Sequence, residues 1–182
     1  MILTTERLIL RPWKTEDALW LYELAKDPRI GPLAGWPVHT DIEYSRKIIN
    51  EVLIARESYA VTLKENNKLV GSISMQFKET SNLIIEDKEA ELGYWLGVPY
   101  WGQGLIPEAA REVLRHGFED LKLETIWCAC FEGNKKSQRV MEKCGFMYKH
   151  SFEKNWPPDN CRKKIDVFYL TYEHWQELRS AN

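Results

Sequence analysis

A glycine-rich turn between a predicted strand and a predicted helix constrains this chain more than any other feature. Four of the ten glycines (Gly93, Gly97, Gly102 and Gly104) lie where the strand-like segment 89–96 meets a helical pattern that begins near Pro107. A helix N-terminus carries unpaired N–H groups and a partial positive charge, and glycine lets the backbone approach a ligand closely. The pattern therefore predicts an anion-binding turn, although a turn that only redirects the chain would use the same residues. A P-loop is excluded because GK[ST] is missing, and the third glycine of GxGxxG would fall on Pro107.

Predicted strands and helices alternate on both sides of this turn. An edge strand is predicted over 5–13, capping signals at Thr15 and Thr40 predict two helices, and 59–64 with 69–77 predict a β-hairpin. After the turn, the patterns predict a helix from Pro107, a strand over 125–131, a helix between Gly133 and Gly145, two more strands and a terminal helix. This order predicts an α/β (α+β) fold with helices packed on a sheet, in a single domain over 1–182.

Composition and charge exclude several classes of protein. Lys and Arg number 25 against 27 Asp and Glu, a net charge of -2 that provides no overall field for nucleic acid or an anionic membrane. The four cysteines form no CxxC pair and the four histidines are scattered, which argues against a metal site and a disulfide framework. No apolar run approaches the roughly 18 residues of a membrane span, and the first residues lack a signal-peptide core. We therefore expect a cytoplasmic protein with free thiols, without metal, nucleic acid or membrane as partner.

Several segments together resemble one enzyme family. They are ELGYWLGVPYWGQGLIPEAAREVL (91–114), NKKSQRVMEKCGF (134–146), the opening TERLILRPWKTEDA (5–18) and LVGSISM (69–75). The chain resembles the Gcn5-related N-acetyltransferases (GNAT), and within them the RimJ/RimL branch, which acetylates protein N-termini. The resemblance implies a mixed, mostly antiparallel central sheet of about seven strands with helices on both faces. It also implies transfer of an acetyl group from acetyl-CoA to a primary amine of a peptide N-terminus or a small molecule.

The resemblance also implies where acetyl-CoA binds. Pantetheine would pair with backbone near Leu96 and Val98, in a gap where strand 89–96 splays from strand 125–131. The pyrophosphate would lie on backbone N–H groups without a metal, and these belong to Gly102, Gln103, Gly104, Leu105 and Ile106. Asn134 and Ser137 match positions that contact the cosubstrate near its sulfur, although both residues are also typical of helix capping. The family's usual Arg or Gln at the start of the loop is Trp101 here.

The candidate catalytic base is a glutamate in the strand before the turn. An alkylammonium, with a pKa of about 10, must lose a proton before it attacks, and a carboxylate is the usual acceptor. Glu91 lies within an apolar strand and matches the base of similar enzymes, although an exposed or structural carboxylate fits the same pattern; Glu89, nearer a polar loop, is expected to be solvated. The tyrosine that similar enzymes use as acid for the thiolate is Met141 here. Ser137 is then the candidate hydrogen-bond donor to the sulfur.

Two tryptophans in proline-containing loops are candidates for the acceptor site. Trp36 and Trp156 are hard to bury there, and in similar folds both loops border the acceptor. Because no cysteine has a neighbouring histidine in the sequence, direct transfer within a ternary complex is expected. A non-catalytic acyl-CoA-binding module is the alternative. The sequence leaves the acceptor open, and it leaves open whether the protein is a monomer or a homodimer.

Overall fold

The computed structural model describes residues 1–157 and 160–181 and contains six α-helices and eight strands. The strands are β1 (Leu3–Thr4), β2 (Leu8–Pro12), β3 (Ser58–Leu63), β4 (Leu69–Gln76), β5 (Glu89–Leu96), β6 (Thr125–Phe131), β7 (Met147–Trp156) and β8 (Cys161–Thr171). The helices are α1 (Ala18–Ala25), α2 (Gly31–Ala34), α3 (Ile42–Ile48), α4 (Leu105–Arg115), α5 (Lys135–Lys143) and α6 (Tyr172–Ser180). No helix among the described residues is long and apolar enough to cross a membrane.

The strands form one mostly antiparallel sheet in the order β1-β2-β3-β4-β5-β6-β8-β7. Strands β5 and β6 are parallel, with a register from Glu89↔Thr125 to Glu91↔Trp127. The predicted mixed fold and mostly antiparallel sheet are confirmed, with eight strands instead of about seven. The additional short strand β1 pairs with β2, and two residues are too few for a sequence pattern to reveal. The splay between β5 and β6 stays a prediction.

The chain forms two compact units, of which the first contains residues 1–74 and 94–112. Its core includes Trp13, Leu21, Ile49 and Leu69, all buried. The Asp17 carboxylate accepts two hydrogen bonds of 2.7 Å from the Arg11 guanidinium, which ties the end of β2 to the start of α1. The predicted caps were wrong by one or two residues. Asp41, next to Thr40, caps α3 by accepting from the Tyr44 N–H, and Thr15 begins a 3-10 turn that ends at Asp17, the residue before α1.

The second unit contains residues 75–93 and 113–182. Buried Phe118, Ile126, Met141 and Leu170 belong to its core. Helix α5 ends before Gly145, as predicted. The φ of Gly145 is +84°, and its N–H donates to the Glu142 carbonyl at 3.1 Å. The next residue, Phe146, donates its N–H to the Met141 carbonyl at 3.0 Å, which completes a Schellman motif. Trp156, predicted to lie in a loop, is instead the last residue of β7. Residues 158 and 159 lie outside the described residues, and a single domain over 1–182 stays a prediction.

Candidate active site

The glycine turn of the first unit has the backbone conformation that its sequence predicts. Gly102 and Gly104 have φ angles of +76° and +74°, in the left-handed region that side chains rarely adopt. A Cβ atom on Gly102 would have no heavy atom of the described residues within 4 Å. None of the hydrogen bonds among the described residues uses the N–H groups of Gly102, Gln103 or Gly104. The turn therefore presents open backbone donors, as an anion-binding loop requires.

Helix α4 begins at Leu105, two residues earlier than predicted. The N–H groups of Leu105 and Ile106 belong to the first turn of the helix and have no partner within it. Pro107 is therefore the third helical residue instead of the first. A backbone N–H at this position would have no acceptor within the helix, so proline costs the helix no hydrogen bond there. The first turn thus adds two donors to those of the glycine turn.

The N-terminal segment holds this turn through Arg7, a contact that sequence reasoning missed. The Arg7 Nη1 donates to the Gln103 carbonyl at 3.0 Å, and its Nε donates to Glu108 at 2.7 Å. Glu108 also accepts from the Arg7 N–H at 2.8 Å and from the Thr5 hydroxyl at 2.5 Å. Burial raises the pKa of Glu108, but these hydrogen bonds outweigh burial and the pKa lies below its usual value. Arg7 therefore connects the glycine turn with the first turn of α4.

Trp101, where the family pattern has Arg or Gln, turns its side chain toward the preceding strand. Its indole N–H donates to the Leu96 carbonyl at 2.8 Å, and its backbone N–H donates to the Val98 carbonyl at 3.2 Å. The Gly97 N–H donates to the Val70 carbonyl at 2.8 Å. The segment from Leu96 to Trp101 is therefore held by hydrogen bonds within itself and by one to Val70, and the Trp101 side chain has a structural contact.

Glu91 lies in the second unit and is buried, with 8% of its surface exposed. One carboxylate oxygen, Oε2, accepts from the Ser81 hydroxyl at 2.7 Å and from the Asn82 N–H at 2.8 Å. The other oxygen, Oε1, makes no hydrogen bond with the residues that the structure describes. This arrangement fixes the carboxylate while leaving one oxygen able to accept a proton.

Glu89 is not the solvated residue that the sequence predicts. Its Oε2 accepts from the Trp127 indole N–H at 3.0 Å and from the Glu86 N–H at 2.9 Å. The prediction was wrong because the indole comes from β6, 38 residues along the chain. Glu89 thus anchors the start of β5, whereas one oxygen of Glu91 makes no hydrogen bond with the described residues.

Asn134 caps helix α5, as one of its two interpretations predicts. Its side-chain oxygen accepts from the Ser137 N–H at 3.2 Å. The Ser137 side chain hydrogen-bonds with the Cys130 thiol. Burial and the nearby Asp166 carboxylate raise the pKa of Cys130 to about 12, although the Ser137 hydrogen bond lowers it. The polar start of α5 is thus built around Asn134 and Ser137, while Met141 is fully buried in the core.

Comparison with known proteins decides the family. The family model described as "Acetyltransferase (GNAT) domain" matches residues 7–147, well over half of the chain. The chain belongs to the GNAT acetyltransferase family. It is an N-acetyltransferase, and members of this family transfer acetyl groups from acetyl-CoA.

Individual relatives support the same assignment. The chain is 27% identical over 177 residues to the uncharacterized N-acetyltransferase YnaD of Bacillus subtilis (strain 168), covering 96% of this chain and 99% of the relative. It is 28% identical over 116 residues to the ribosomal-protein-serine acetyltransferase of Escherichia coli (strain K12), covering 62% of each. Among solved structures, a GNAT acetyltransferase from Bacillus anthracis superimposes with a TM-score of 0.83 at 28% identity, covering 95% of this chain and 99% of that one.

The residues of the glycine turn fit the acetyl-CoA that a GNAT enzyme uses. Two left-handed glycines and the first turn of α4 present N–H donors that have no partner among the described residues, which suits a pyrophosphate. Among the described residues, no group of three or more His, Cys, Asp or Glu side chains could hold a metal ion. The donors identified in the turn and in the first turn of α4 are backbone N–H groups.

The two tryptophans expected near the GNAT acceptor have different surroundings. Trp36 packs edge-on against Trp95, with ring centroids 5.8 Å apart, and joins the core of the first unit. Trp156 is half-buried in the second unit and packs edge-on against Phe131 at 5.1 Å. Their acceptor role stays a prediction.

Proposed function

We propose that this GNAT enzyme transfers the acetyl group directly to a primary amine, with Glu91 as the general base. The observation that carries the proposal is the Glu91 carboxylate, which is buried and held through one oxygen while the other lacks a hydrogen bond among the described residues. A positioned base near an incoming ammonium accelerates transfer by typically 10²–10⁴-fold. Ser81 and Asn82 position this base because they fix the plane of its carboxylate.

Acetyl-CoA supplies the activated acetyl thioester. We assign its pyrophosphate to the backbone N–H groups of Gly102–Ile106, and its pantetheine to backbone near Leu96 and Val98. Support for the first assignment comes from the left-handed φ angles of Gly102 and Gly104. At Leu96 the carbonyl already accepts from Trp101, so this oxygen has one lone pair left for pantetheine.

Ser137 and Asn134 are proposed to act near the sulfur. A typical thiol has a pKa near 8.5, so a thiolate leaves without full protonation and needs only a hydrogen-bond donor. The Ser137 hydroxyl can donate one, since it lies at the polar start of α5, which Asn134 caps. Met141 contributes no donor because it is buried in the core.

Direct transfer is favoured over an acetyl-cysteine intermediate. Cys128, Cys130 and Cys144 are buried, and the pKa of Cys130 is about 12, which leaves almost no nucleophilic thiolate at neutral pH. Cys161 is exposed and lies at the start of β8. An attack on the thioester by the deprotonated amine accounts for transfer without a protein nucleophile.

A peptide N-terminus is the acceptor we favour. The Escherichia coli relative is a ribosomal-protein-serine acetyltransferase by name, and the opening segment 5–18 resembles the RimJ/RimL branch. A cytoplasmic location follows from this choice, because ribosomal proteins are assembled there.

A screen for acetyl transfer tests the proposal. Purified protein with acetyl-CoA is incubated with N-terminal peptides and small amines, and mass spectrometry detects a gain of one acetyl group. We expect acetylated peptide α-amines and matching release of CoA. Acetyl-CoA binding without transfer to any amine would contradict the proposal, and an acetylated protein cysteine in the absence of acceptor would contradict direct transfer.

A further inference from the structure

In the second unit, one face of the sheet carries Glu91 together with four aromatic rings. Directly paired residues on neighbouring strands share a face, and the register pairs Glu91 with Trp127 and Trp127 with Tyr169. Phe131 lies four residues after Trp127 and therefore on the same face. We name as the aromatic face the half-buried residues Trp127, Phe131, Trp156 and Tyr169.

Three lysines from the β7–β8 hairpin lie over these rings. Their Nζ atoms are 5.1 Å (Lys149 over Tyr169), 5.7 Å (Lys154 over Trp156) and 5.5 Å (Lys163 over Phe131) from the ring centroids. Lys154 and Lys163 are directly opposite each other in the antiparallel register. Like charges at such a position destabilise a sheet unless another group offsets them.

On the opposite face of the same hairpin, the basic side chains form ion pairs with acidic ones. There, Arg162 pairs with Glu153 at 2.7 Å and Lys164 pairs with Glu132. On the aromatic face, Lys149 and Lys154 have no acidic partner among the residues that the structure describes. The aromatic face thus combines apolar area with the positive charges of Lys149 and Lys154, which no acidic group of the described residues balances.

We propose that the aromatic face binds an acidic segment of the acceptor polypeptide, downstream of the amine that is acetylated. This inference rests on the proposed role of Glu91, because Glu91 marks the amine end of the same face. From β5 to β7 is three strand spacings of about 4.8 Å, or about 14 Å. An extended peptide advances about 3.3 Å per residue, so an acceptor with its α-amine at Glu91 reaches Lys149 with about its fourth or fifth residue.

A single-stranded nucleic acid fits this face less well. Nucleic-acid platforms stack bases on open aromatic rings, whereas here lysine ammonium groups lie over three of the four rings. The chain as a whole carries a net charge of -2, which opposes a polyanion. Acidic side chains separated along a peptide need only the local positive charge.

Two fluorescein-labelled peptides test the proposal by binding and by turnover. They share their first three residues and differ only at positions four to nine, where one carries Glu and the other Gln, because Lys154 lies five residues beyond Lys149 on β7, about 16 Å further along the strand. For the wild-type enzyme we expect the Glu peptide to bind about five- to tenfold more tightly by fluorescence anisotropy, a range typical of two partly exposed ion pairs. The same ratio is expected in KM, and it should shrink with added salt.

Charge reversal identifies the lysines responsible. The double variant Lys149→Glu/Lys154→Glu should abolish or invert the preference for the Glu peptide. The control is the double variant Lys47→Glu/Lys143→Glu, at exposed positions of α3 and α5. It changes the net charge by the same amount and should preserve the preference. Equal affinity of the two peptides for wild type, or an equal loss in both double variants, would overturn the inference. So would tighter binding of poly(U) than of the Glu peptide. If the Glu peptide binds through Lys149 and Lys154 but is not acetylated, the inference stands and the proposed function fails.

Discussion

Arg7 and Glu108 are 101 positions apart in the sequence, yet two hydrogen bonds connect them in the first unit. Two donors of Arg7, the backbone N–H and the Nε, reach the carboxylate within 2.8 Å. The same guanidinium holds the Gln103 carbonyl at 3.0 Å. A side chain that bonds both the glycine turn and the first turn of α4 fixes the direction of the N–H groups between them. Arg7 is therefore a positioning residue for the proposed pyrophosphate site.

Substituting Arg7 should weaken acetyl-CoA binding more than it weakens folding. Arg7→Gln removes the guanidinium donors to Gln103 and Glu108 and keeps the backbone N–H that donates to Glu108. A hydrogen bond to a charged group contributes about 1.5–3 kcal/mol. We expect a five- to tenfold rise, roughly, in the Kd for CoA by calorimetry, because part of that energy orders the turn. Arg46→Gln, which removes an exposed ion pair with Glu43 on α3, is the control. Unchanged affinity in Arg7→Gln would remove Arg7 from the site.

The low pKa of Glu108 makes its contribution to stability depend on pH. Because the folded-state pKa is depressed, the stabilisation is complete above the unfolded pKa of about 4.3 and is lost as pH falls through the folded value. The melting temperatures of wild type and Glu108→Gln should therefore differ most near pH 6. This difference should shrink as the pH is lowered. If the difference in melting temperature stays constant down to pH 3, the negative charge of Glu108 does not stabilise the folded protein.

Gly104 should tolerate no side chain without loss of cosubstrate affinity. Its φ of +74° strains any β-branched residue, and a Cβ would face the Arg7 Nη2 at 3.7 Å. We expect Gly104→Val to weaken CoA binding at least tenfold, roughly, since the N–H groups of the turn would be redirected. Gly35→Val, at a glycine with a φ of +90° at the end of α2, carries comparable strain and should retain affinity. Equal losses in both variants would indicate general destabilisation.

The local parts of this site could be predicted from the sequence, whereas its long-range contacts could not. Strands β5 and β6 have the bounds that their apolar patterns predict, and the glycine conformations follow from the turn. The contacts of Glu91 with Ser81 and of Arg7 with Gln103 depend on how distant segments meet, which no local pattern encodes. The 50% exposure of Trp20 on α1 likewise does not follow from the sequence, because an aromatic residue on an amphipathic helix fits either side of the boundary between core and surface.

Glu91→Gln should lower the rate and alter its dependence on pH. The amide preserves the shape and can still accept from Ser81, but it cannot take a proton from an ammonium. We expect kcat to fall by about 10²–10⁴-fold with the KM for acetyl-CoA unchanged, and the limb of the pH–rate profile that reports the base to disappear. Glu89→Gln is the control, because Glu89 lies on the same strand but accepts from Trp127. It should lower stability and leave that limb of the pH–rate profile in place. A wild-type profile in Glu91→Gln would mean that water or another group accepts the proton.

Ser137 and Met141 lie one helical turn apart on α5. We expect substitution of Ser137 to lower turnover and substitution of Met141 to lower stability. Ser137→Ala removes the proposed donor to the departing sulfur. The loss of one hydrogen bond to a charged group, at about 1.5 kcal/mol, lowers turnover about tenfold. Because the Ser137 side chain also contacts Cys130, Cys130→Ala serves as the control for that contact and should leave turnover near wild type.

Met141→Ala instead empties a fully buried position and should cost about 2–5 kcal/mol of stability, with turnover retained well below the melting temperature. Single-turnover measurements, in which chemistry limits the rate, separate the two effects. Full single-turnover rates in Ser137→Ala would reject the donor role, and thiolate departure would then depend on water or on backbone N–H groups.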